Sequence, residues 1–345
     1  MSAGEVSDNV DVPIFSVGII ADIQYAPIPD GASFSGNPRY YRHSLLTAKH
    51  AAEHFERDQV DLMINLGDIL DGKCQKLDEH GGDAVPAGQL PSDYALKHVL
   101  DSVAAYTGRI IHTYGNHCLY NFDRKSLQEK LGIPFVVEPC GELVGYSSHV
   151  HKGIKFVILD SYDEAIMKRC TSKSKKREAA IRVLRENNPN FTSGSMNDPT
   201  GLNDLEKRFV GFNGGVGELQ LQWLRSTLEE ARLAKEKVVI LSHQPIMPGS
   251  SNPVCLIWNY AEVLSILREF SDVVVASLAG HAHKGGYVKD KSSGIHFRVI
   301  EAALESKPER TYCILDIHHE RLELRGFGKC ESATFDFTCA IEPCS

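Results

Sequence analysis

Five short apolar runs, each followed at once by a turn with polar side chains, constrain the fold of this chain most. The runs are rich in Val and Ile and lie at residues 14–21, 62–66, 110–114, 238–242 and 273–279. Their length and composition predict strands that are buried on both faces. Amphipathic helices are predicted at residues 41–57, 94–106, 217–234 and 260–270. Strands that alternate with helices predict an α/β domain.

A single domain is predicted at residues 13–330 of the 345 residues. Residues 1–12 are mostly polar and acidic, so we expect a flexible N-terminus, and the weakly patterned residues 331–345 are predicted to form a C-terminal tail. Residues 163–217 break the alternation and are predicted to be an insertion. Positions 168–177 within it carry six basic side chains and no acidic one. Two interpretations of this insertion remain open: a solvated loop with some helix, and a lid or substrate-binding insertion.

Composition and charge exclude several classes of protein. The net charge of −8 argues against a dominant nucleic-acid or anionic-membrane surface. The apolar runs are too short to span a bilayer, and the first ten residues lack the features of a signal peptide. The nine cysteines are dispersed without C-x-x-C spacing, which predicts reduced thiols. We therefore expect a cytoplasmic monomer that binds neither nucleic acid nor membranes.

Metal-ligating side chains follow the five predicted strands directly. In open α/β sheets the carboxyl ends of the strands line the active-site crevice, so these side chains are expected to converge. Carboxylate, carboxamide and imidazole groups together suit a hard or borderline divalent cation. The candidate ligands are Asp22, Gln24, Asp68, Asn116, His243, His281 and His283, and His117 directly follows one of them.

The order of these fragments resembles the calcineurin-like metallophosphoesterase superfamily. The fragments are D-x-Q, G-D-x-x-D, G-N-H, S-H-x-P and G-H-x-H, between residues 22 and 283. The resemblance implies a four-layer αββα sandwich with two metal ions, and it implies catalytic roles for Asp68 and for His117, the latter beside the leaving group. The implied ligands of one ion are Asp22, Gln24, Asp68 and His283, and those of the other are Asp68, Asn116, His243 and His281.

This sequence departs from the superfamily pattern at two positions. Gln24 replaces the usual His, and a carboxamide oxygen is a harder ligand than imidazole, so we expect Mn²⁺ rather than Mg²⁺ or Zn²⁺. Cys118 replaces an acidic residue that could orient His117, and we expect its thiol to serve packing. Asp71 is expected to lie behind the ligands and support them, for instance by orienting a ligand histidine.

Four further segments resemble a narrower, manganese-dependent group of this superfamily, which hydrolyses the diphosphate of ADP-ribose and of CDP-alcohols. They lie at residues 22–25, 39–45, 212–215 and 254–260. The resemblance implies a nucleotide diphosphate substrate such as CDP-choline and release of a nucleoside monophosphate. A broader phosphodiesterase or phosphomonoesterase, and a metal-binding scaffold without catalysis, are the alternatives.

Substrate contacts are predicted near these segments. Aromatic rings could stack on the base, and arginines could neutralise the second phosphate. Core packing is the alternative for each aromatic ring, and a solvated position is the alternative for each arginine. The predicted contacts are Tyr25, Phe34, Arg42, Phe212, Cys255 and Trp258, with Arg39 as a second candidate arginine.

Overall fold

A computed structural model describes residues 11–33, 35–168 and 174–337. Helices form at the four predicted places, with boundaries within about three residues of those expected. The helices are α1 Tyr41–Arg57, α2 Pro91–Val103, α3 Asn116–Asn121, α4 Arg124–Leu131, α5 Lys175–Asn187, α6 Glu218–Leu233 and α7 Tyr260–Glu269. The strands are β1 Phe15–Ile20, β2 Gly31–Ala32, β3 Pro38–Arg39, β4 Leu62–Asn65, β5 Arg109–His112, β6 Val136–Val137, β7 Leu143–Val144, β8 Ser147–His151, β9 Ile154–Ile158, β10 Lys237–Ser242, β11 Val274–Ala279, β12 Gly286–Lys289, β13 His296–Val299, β14 Tyr312–Ile317, β15 Arg321–Phe327 and β16 Ala333–Asp336.

The larger strands form two six-stranded sheets. The first sheet has the order β16-β15-β14-β1-β4-β5, and the second has the order β12-β13-β11-β10-β9-β8. β1, β4 and β5 run parallel in the first sheet, and β9, β10, β11 and β13 run parallel in the second. Antiparallel strands flank both parallel sets. The parallel strands therefore end side by side, which places their polar turns at one edge of each sheet.

The two sheets pack face to face, and helices cover their outer faces. Successive residues of a strand point to opposite faces, so Ile19 packs between the sheets while Ile20 packs under the α1 and α2 layer. In the second sheet Val239 faces the inter-sheet core, and Val238 faces α6 and α7. Burial on both faces explains why these runs are continuously apolar. The predicted four-layer αββα sandwich is confirmed.

The described part of the C-terminus extends the first sheet. β16 pairs with β15, and Phe335 is buried in the core between the sheets. This strand lies beyond residue 330, where the sequence predicts that the domain ends. Residues 1–10 and 338–345, which hold most of the two predicted termini, lie outside the described residues.

The predicted insertion packs against the domain where the structure describes it. Ala180 and Leu184 of α5 are buried and pack against Phe209 and Trp258. Lys176 is buried and pairs with Asp163 and with Glu138, so this basic side chain is not solvated. Residues 169–173 of the basic stretch lie outside the described residues. Of the helices in the described ranges, none has the length and apolar character that crossing a bilayer requires.

Candidate metal centre

The turns after five parallel strands bring the predicted ligands to one place. Asp22 follows β1, Asp68 follows β4, and Asn116 begins α3 just beyond β5. His243 follows β10 directly, and His281 comes two residues after the end of β11. All five residues lie at the carboxyl ends of their strands, and four of them are buried, His281 being partly buried.

Asp22, Gln24 and His283 form one half of the centre together with Asp68. The Nε2 atom of His283 lies 3.7 Å from Oδ1 of Asp22 and 3.0 Å from Nε2 of Gln24. The same amide nitrogen lies 3.2 Å from Oδ2 of Asp68. These contacts bring the members of the first predicted ligand set together, with Asp68 as the residue that the second set shares.

Asp68, His243 and His281 form the other half. One ligand atom from each lies within 4.8 Å of the others, which is close enough for one metal ion. The Nε2 atom of His243 is 3.3 Å from Oδ2 of Asp68. The Oδ1 atom of Asp68 accepts a 2.9 Å hydrogen bond from the backbone N–H of His117, which fixes the start of α3 and with it Asn116.

Two buried atoms of this cluster fit a cation. Among the described residues, Oδ1 of Asp22 and Nε2 of His243 are buried without a hydrogen-bond partner. A buried polar atom without a partner costs free energy, whereas a carboxylate oxygen and an imidazole nitrogen are ordinary metal ligands. The donor set therefore fits divalent ions.

Backbone strain is concentrated in the same residues. Asp22, Gln24, Asp68 and His281 have φ angles of 50°, 38°, 51° and 66°, which lie in the left-handed region. Non-glycine residues rarely adopt this conformation, and it clusters at functional sites where the surrounding structure enforces it. The strain aims four predicted ligands into one crevice.

Two glycines allow the strand ends to approach each other. A Cβ atom on Gly115 would lie 2.2 Å from Oδ1 of Asp68 and 2.4 Å from Nε2 of His243. A Cβ atom on Gly67, whose φ is +101°, would lie 2.5 Å from Nδ1 of His243. Larger residues at either position would displace the cluster.

Acceptors behind the cluster orient two of the histidines. The Nδ1 atom of His243 is 2.8 Å from the carbonyl oxygen of Leu66, and that of His283 is 2.7 Å from Oε1 of Glu305. In each case Nδ1 carries the proton of the neutral ring, so Nε2 is the ring nitrogen that can bind a cation. No sequence motif pointed to Glu305, which lies in the 3-10 turn Ala303–Glu305.

Burial and charge act differently on the four central groups. Burial raises the pKa of Asp22, whereas His243 and His117 outweigh burial and lower the pKa of Asp68. Despite its own burial, His243 has its pKa raised to about 9 by Asp68, while burial lowers the pKa of His281. Metal binding requires both carboxyl groups and both imidazoles without the competing proton, so affinity should fall at acid pH.

The segment that follows β4 orients the ring of His117. Its Nδ1 atom is 2.8 Å from the backbone N–H of Gly72 and 3.4 Å from Oδ2 of Asp71. Because the Gly72 amide donates, Nδ1 accepts in the neutral ring, and Nε2 carries the proton. Asp71 thus contacts His117, whereas a contact with a ligand histidine was the sequence expectation. Cys118 is buried and its thiol pKa is raised to about 12, which fits packing.

Two predicted aromatic contacts lie in hydrophobic cores rather than in the crevice. Tyr25 is buried, and its hydroxyl lies 3.3 Å from Nδ1 of His98. Trp258 is buried against the insertion. The structure thus favours the core alternative for both rings. Phe34 lies outside the described residues.

The remaining predicted contacts differ in their distance from the centre. The ring of half-buried Phe212 is 5.8 Å from that of His281. Cys255 packs against Ala279 and Ala282, and burial raises its thiol pKa to about 12. The exposed Arg42 instead pairs with Asp83 at 2.7 Å.

Arg39 is the arginine at the centre. Its guanidinium donates to Oε1 of Gln24 at 2.7 Å and lies 3.4 Å from Oδ2 of Asp71. Its Nε atom is buried without a hydrogen-bond partner among the described residues. If Gln24 binds an ion through Oε1, its carboxamide must turn over and present Nε2 to Arg39. The ligand role of Gln24 therefore stays a prediction.

Comparison with known proteins gives the family. The family model described as calcineurin-like phosphoesterase matches residues 15–285. The chain belongs to the calcineurin-like phosphoesterase family. The matched residues include every strand end of the metal centre.

Relatives of this phosphoesterase resemble it over nearly their whole length. A protein from Arabidopsis thaliana, named manganese-dependent ADP-ribose/CDP-alcohol diphosphatase, is 38% identical and aligns over 94% of this chain and 97% of its own. The protein of that name from Oryza sativa subsp. japonica is 39% identical over 92% of each chain. A solved structure described as a dimetal phosphatase, from Danio rerio, has a TM-score of 0.85 and 33% identity over 94% of this chain and 100% of its own.

Proposed function

We propose that this phosphoesterase uses two Mn²⁺ ions to hydrolyse the diphosphate bond of ADP-ribose and of CDP-alcohols such as CDP-choline. The observation that carries the proposal is the cluster of buried carboxylate and imidazole groups around Asp68, in which two buried ligand atoms have no hydrogen-bond partner among the described residues. The names of relatives that align over nearly the whole chain support the choice of metal and substrate.

Two ligand sets would hold the ions, with Asp68 in both. Asp22, Gln24 and His283 would complete one set, and Asn116, His243 and His281 would complete the other. When bound, such a pair of ions supplies a nucleophile from water and neutralises charge on the phosphoryl oxygens. The two sets contain only two carboxylates, so the loaded centre keeps roughly two positive charges and favours an anionic diphosphate.

His117 would donate a hydrogen bond to the leaving oxygen. The amide of Gly72 occupies its Nδ1 atom, so Nε2 is the ring nitrogen that can donate to a substrate. Asp71 lies 3.4 Å from Nδ1 and places a carboxylate beside this ring. The thiol of Cys118 cannot supply such a charge. Asp71 would therefore help to hold the ring of His117 in place.

Arg39 and Phe212 are the side chains that would contact the remainder of the substrate. Arg39 lies beside the first ligand set and its side chain is partly exposed, so its guanidinium would bind the second phosphate. Phe212 lies beside His281 in the second set, where its half-buried ring would stack on the base.

A grid of metals and substrates tests the proposal. Mn²⁺, Mg²⁺ and Zn²⁺ are each assayed against ADP-ribose, CDP-choline and a simple monoester. We expect Mn²⁺ to support the fastest hydrolysis, with AMP and ribose 5-phosphate from ADP-ribose and with CMP from CDP-choline. Rapid cleavage of the monoester without these products would favour the broader phosphomonoesterase instead.

Asp68→Ala distinguishes an enzyme from a scaffold. The variant removes the carboxylate common to both ligand sets, so we expect hydrolysis to fall to the background rate. Activity retained by a folded Asp68→Ala protein would overturn the two-metal proposal. Activity absent from the wild type at every metal would support a scaffold.

The cellular setting is part of the same proposal. We propose a cytoplasmic monomer that acts on small molecules without a nucleic-acid or membrane partner. The acidic net charge supports this, as do the free thiols of Cys74, Cys118, Cys140, Cys255, Cys313 and Cys330 among the described residues. Light scattering of the purified protein and localisation of a tagged copy test the two statements.

A further inference from the structure

We propose that Asn213 is a positioning residue of the metal centre, through which the insertion and the loop at residues 254–256 hold His281. Its carboxamide oxygen lies 2.9 Å from Nε2 of His281. The inference rests on the proposed function, because it assigns a role toward the ions that the centre would bind.

Three carbonyl groups determine which end of the Asn213 carboxamide faces His281. The Nδ2 atom of Asn213 donates to the carbonyl oxygens of Arg208 at 2.9 Å, Val254 at 2.6 Å and Leu256 at 3.3 Å. Carbonyl oxygens only accept hydrogen bonds, so the amide nitrogen has to face them. Oδ1 is thereby left facing the imidazole. Asn213 is fully buried, so water does not offer an alternative arrangement.

An acceptor at this place decides the tautomer of His281. Because Oδ1 of Asn213 only accepts, Nε2 of His281 must carry a proton and donate it. Nδ1 then holds the lone pair that a metal ion requires. The backbone N–H of His281 donates to Oδ2 of Asp22 at 2.9 Å, so backbone and ring are both held.

Asn213 thus does for His281 what Leu66 and Glu305 do for the other two histidines. Leu66 lies at the end of β4 and Glu305 lies in the turn before β14. Asn213, in contrast, lies near the end of the insertion at residues 163–217. The carbonyl groups of Val254 and Leu256 flank Cys255, so one carboxamide ties this loop to a metal ligand. The insertion therefore contributes directly to the centre rather than only covering it.

Titration of Mn²⁺ into the metal-free protein tests the proposal. For Asn213→Ala we expect one of the two ions to bind roughly 10–100-fold more weakly, as is usual when the partner behind a ligand is lost, and the other ion to bind as before. If Asn213→Ala bound both ions with wild-type affinity, the inference would be overturned. If the wild type binds no Mn²⁺, the proposed function fails instead.

Asn188→Ala is the matched control. Asn188 is another fully buried asparagine of the insertion, and its Nδ2 atom donates to the carbonyl oxygen of Phe209 at 2.8 Å without contact to a predicted ligand. We expect this variant to bind both ions with wild-type affinity. The same selective loss in Asn188→Ala would show that loosening the insertion is sufficient, which would overturn a specific role for Asn213.

The tautomer of His281 can also be measured on the unaltered protein. Nitrogen-15 NMR of the histidine rings distinguishes the two tautomers, and His281→Gln assigns the signal. We expect the proton of His281 on Nε2 in the metal-free wild type. A proton on Nδ1 alone would overturn the proposal even if Mn²⁺ binds normally.

Discussion

Nδ1 of His283 lies 2.7 Å from Oε1 of Glu305, although 22 residues separate them along the chain. The carboxylate holds the proton of His283 on Nδ1 and makes the other ring nitrogen a stronger ligand. Arg39 and Lys329 also act on this carboxylate and, with His283, lower the pKa of Glu305 despite its burial. Glu305 therefore stays ionised and adds a negative charge behind the first ligand set.

Removal of this carboxylate should weaken metal binding without removing a ligand. We expect Glu305→Ala to bind Mn²⁺ roughly 10–100-fold more weakly, and Glu305→Gln to fall between it and the wild type, because its oxygen still accepts the hydrogen bond. Calorimetric titration of the metal-free proteins measures the affinities. Glu309→Ala, at an exposed position of the same segment, is the control. Unchanged affinity in Glu305→Ala would contradict the role of Glu305.

The sequence predicted the strand ends of this centre because their signal is local. The predicted ligands lie at the ends of apolar runs or a few residues beyond, so Asp68 or His243 can be placed without knowledge of the rest of the fold. Glu305 and Asn213 carry no such signal, because their roles arise from contacts between segments that are distant in the sequence. β16 was missed for a similar reason, since its single buried aromatic ring, Phe335, gives too weak a pattern.

Side chains close together in the sequence can have quite different surroundings. Arg39 and Arg42 are three residues apart, yet only Arg39 reaches the metal centre, while Arg42 pairs with Asp83 on the surface. Tyr25 directly follows the first ligand motif but points into the core under α2. The direction in which a side chain points after a strained turn depends on tertiary packing, which local patterns do not determine.

Arg39 and Arg42 form a matched pair for testing phosphate binding. We expect Arg39→Ala to raise KM for ADP-ribose roughly 10–100-fold, because a charge-assisted hydrogen bond contributes about 1.5–3 kcal/mol. Arg42→Ala should change KM by less than about 3-fold, since an exposed ion pair contributes little. Steady-state kinetics with saturating Mn²⁺ measures both. An equal effect of the two substitutions would contradict the assignment of Arg39 to the second phosphate.

Cys118 should be dispensable for the reaction. Its thiol is buried with a pKa raised to about 12, so it carries almost no thiolate at neutral pH. We expect Cys118→Ala to keep kcat within about 2-fold of the wild type and to lose roughly 1 kcal/mol in the free energy of unfolding. Urea unfolding and steady-state kinetics measure the two quantities. A loss of activity without a loss of stability would indicate a chemical role for the thiol.

His296 provides a pH-dependent contribution to stability far from the metal centre. It lies on β13, stacks on Tyr287 of β12 and contacts the ring of Phe335 on β16. Its Nδ1 atom is 2.9 Å from the hydroxyl of Tyr287, and among the described residues Nε2 is buried without a partner. Burial, together with the charge of Lys289, lowers its pKa to about 4, although Asp336 acts in the opposite direction.

The lowered pKa of His296 should make the protein less stable in mild acid. In the unfolded chain the imidazole has a pKa of about 6.5, whereas in the folded protein its pKa is about 4. Between these pH values the unfolded state binds a proton that the folded state does not bind. The free energy of unfolding therefore falls as the pH falls through this range. At pH 5 the expected loss from this one group is about 2 kcal/mol relative to pH 7.5. Urea unfolding of the metal-free protein at both pH values measures it. His296→Gln should reduce the difference by about that amount, whereas the exposed His319→Gln should not, and equal differences in all three proteins would contradict the assignment.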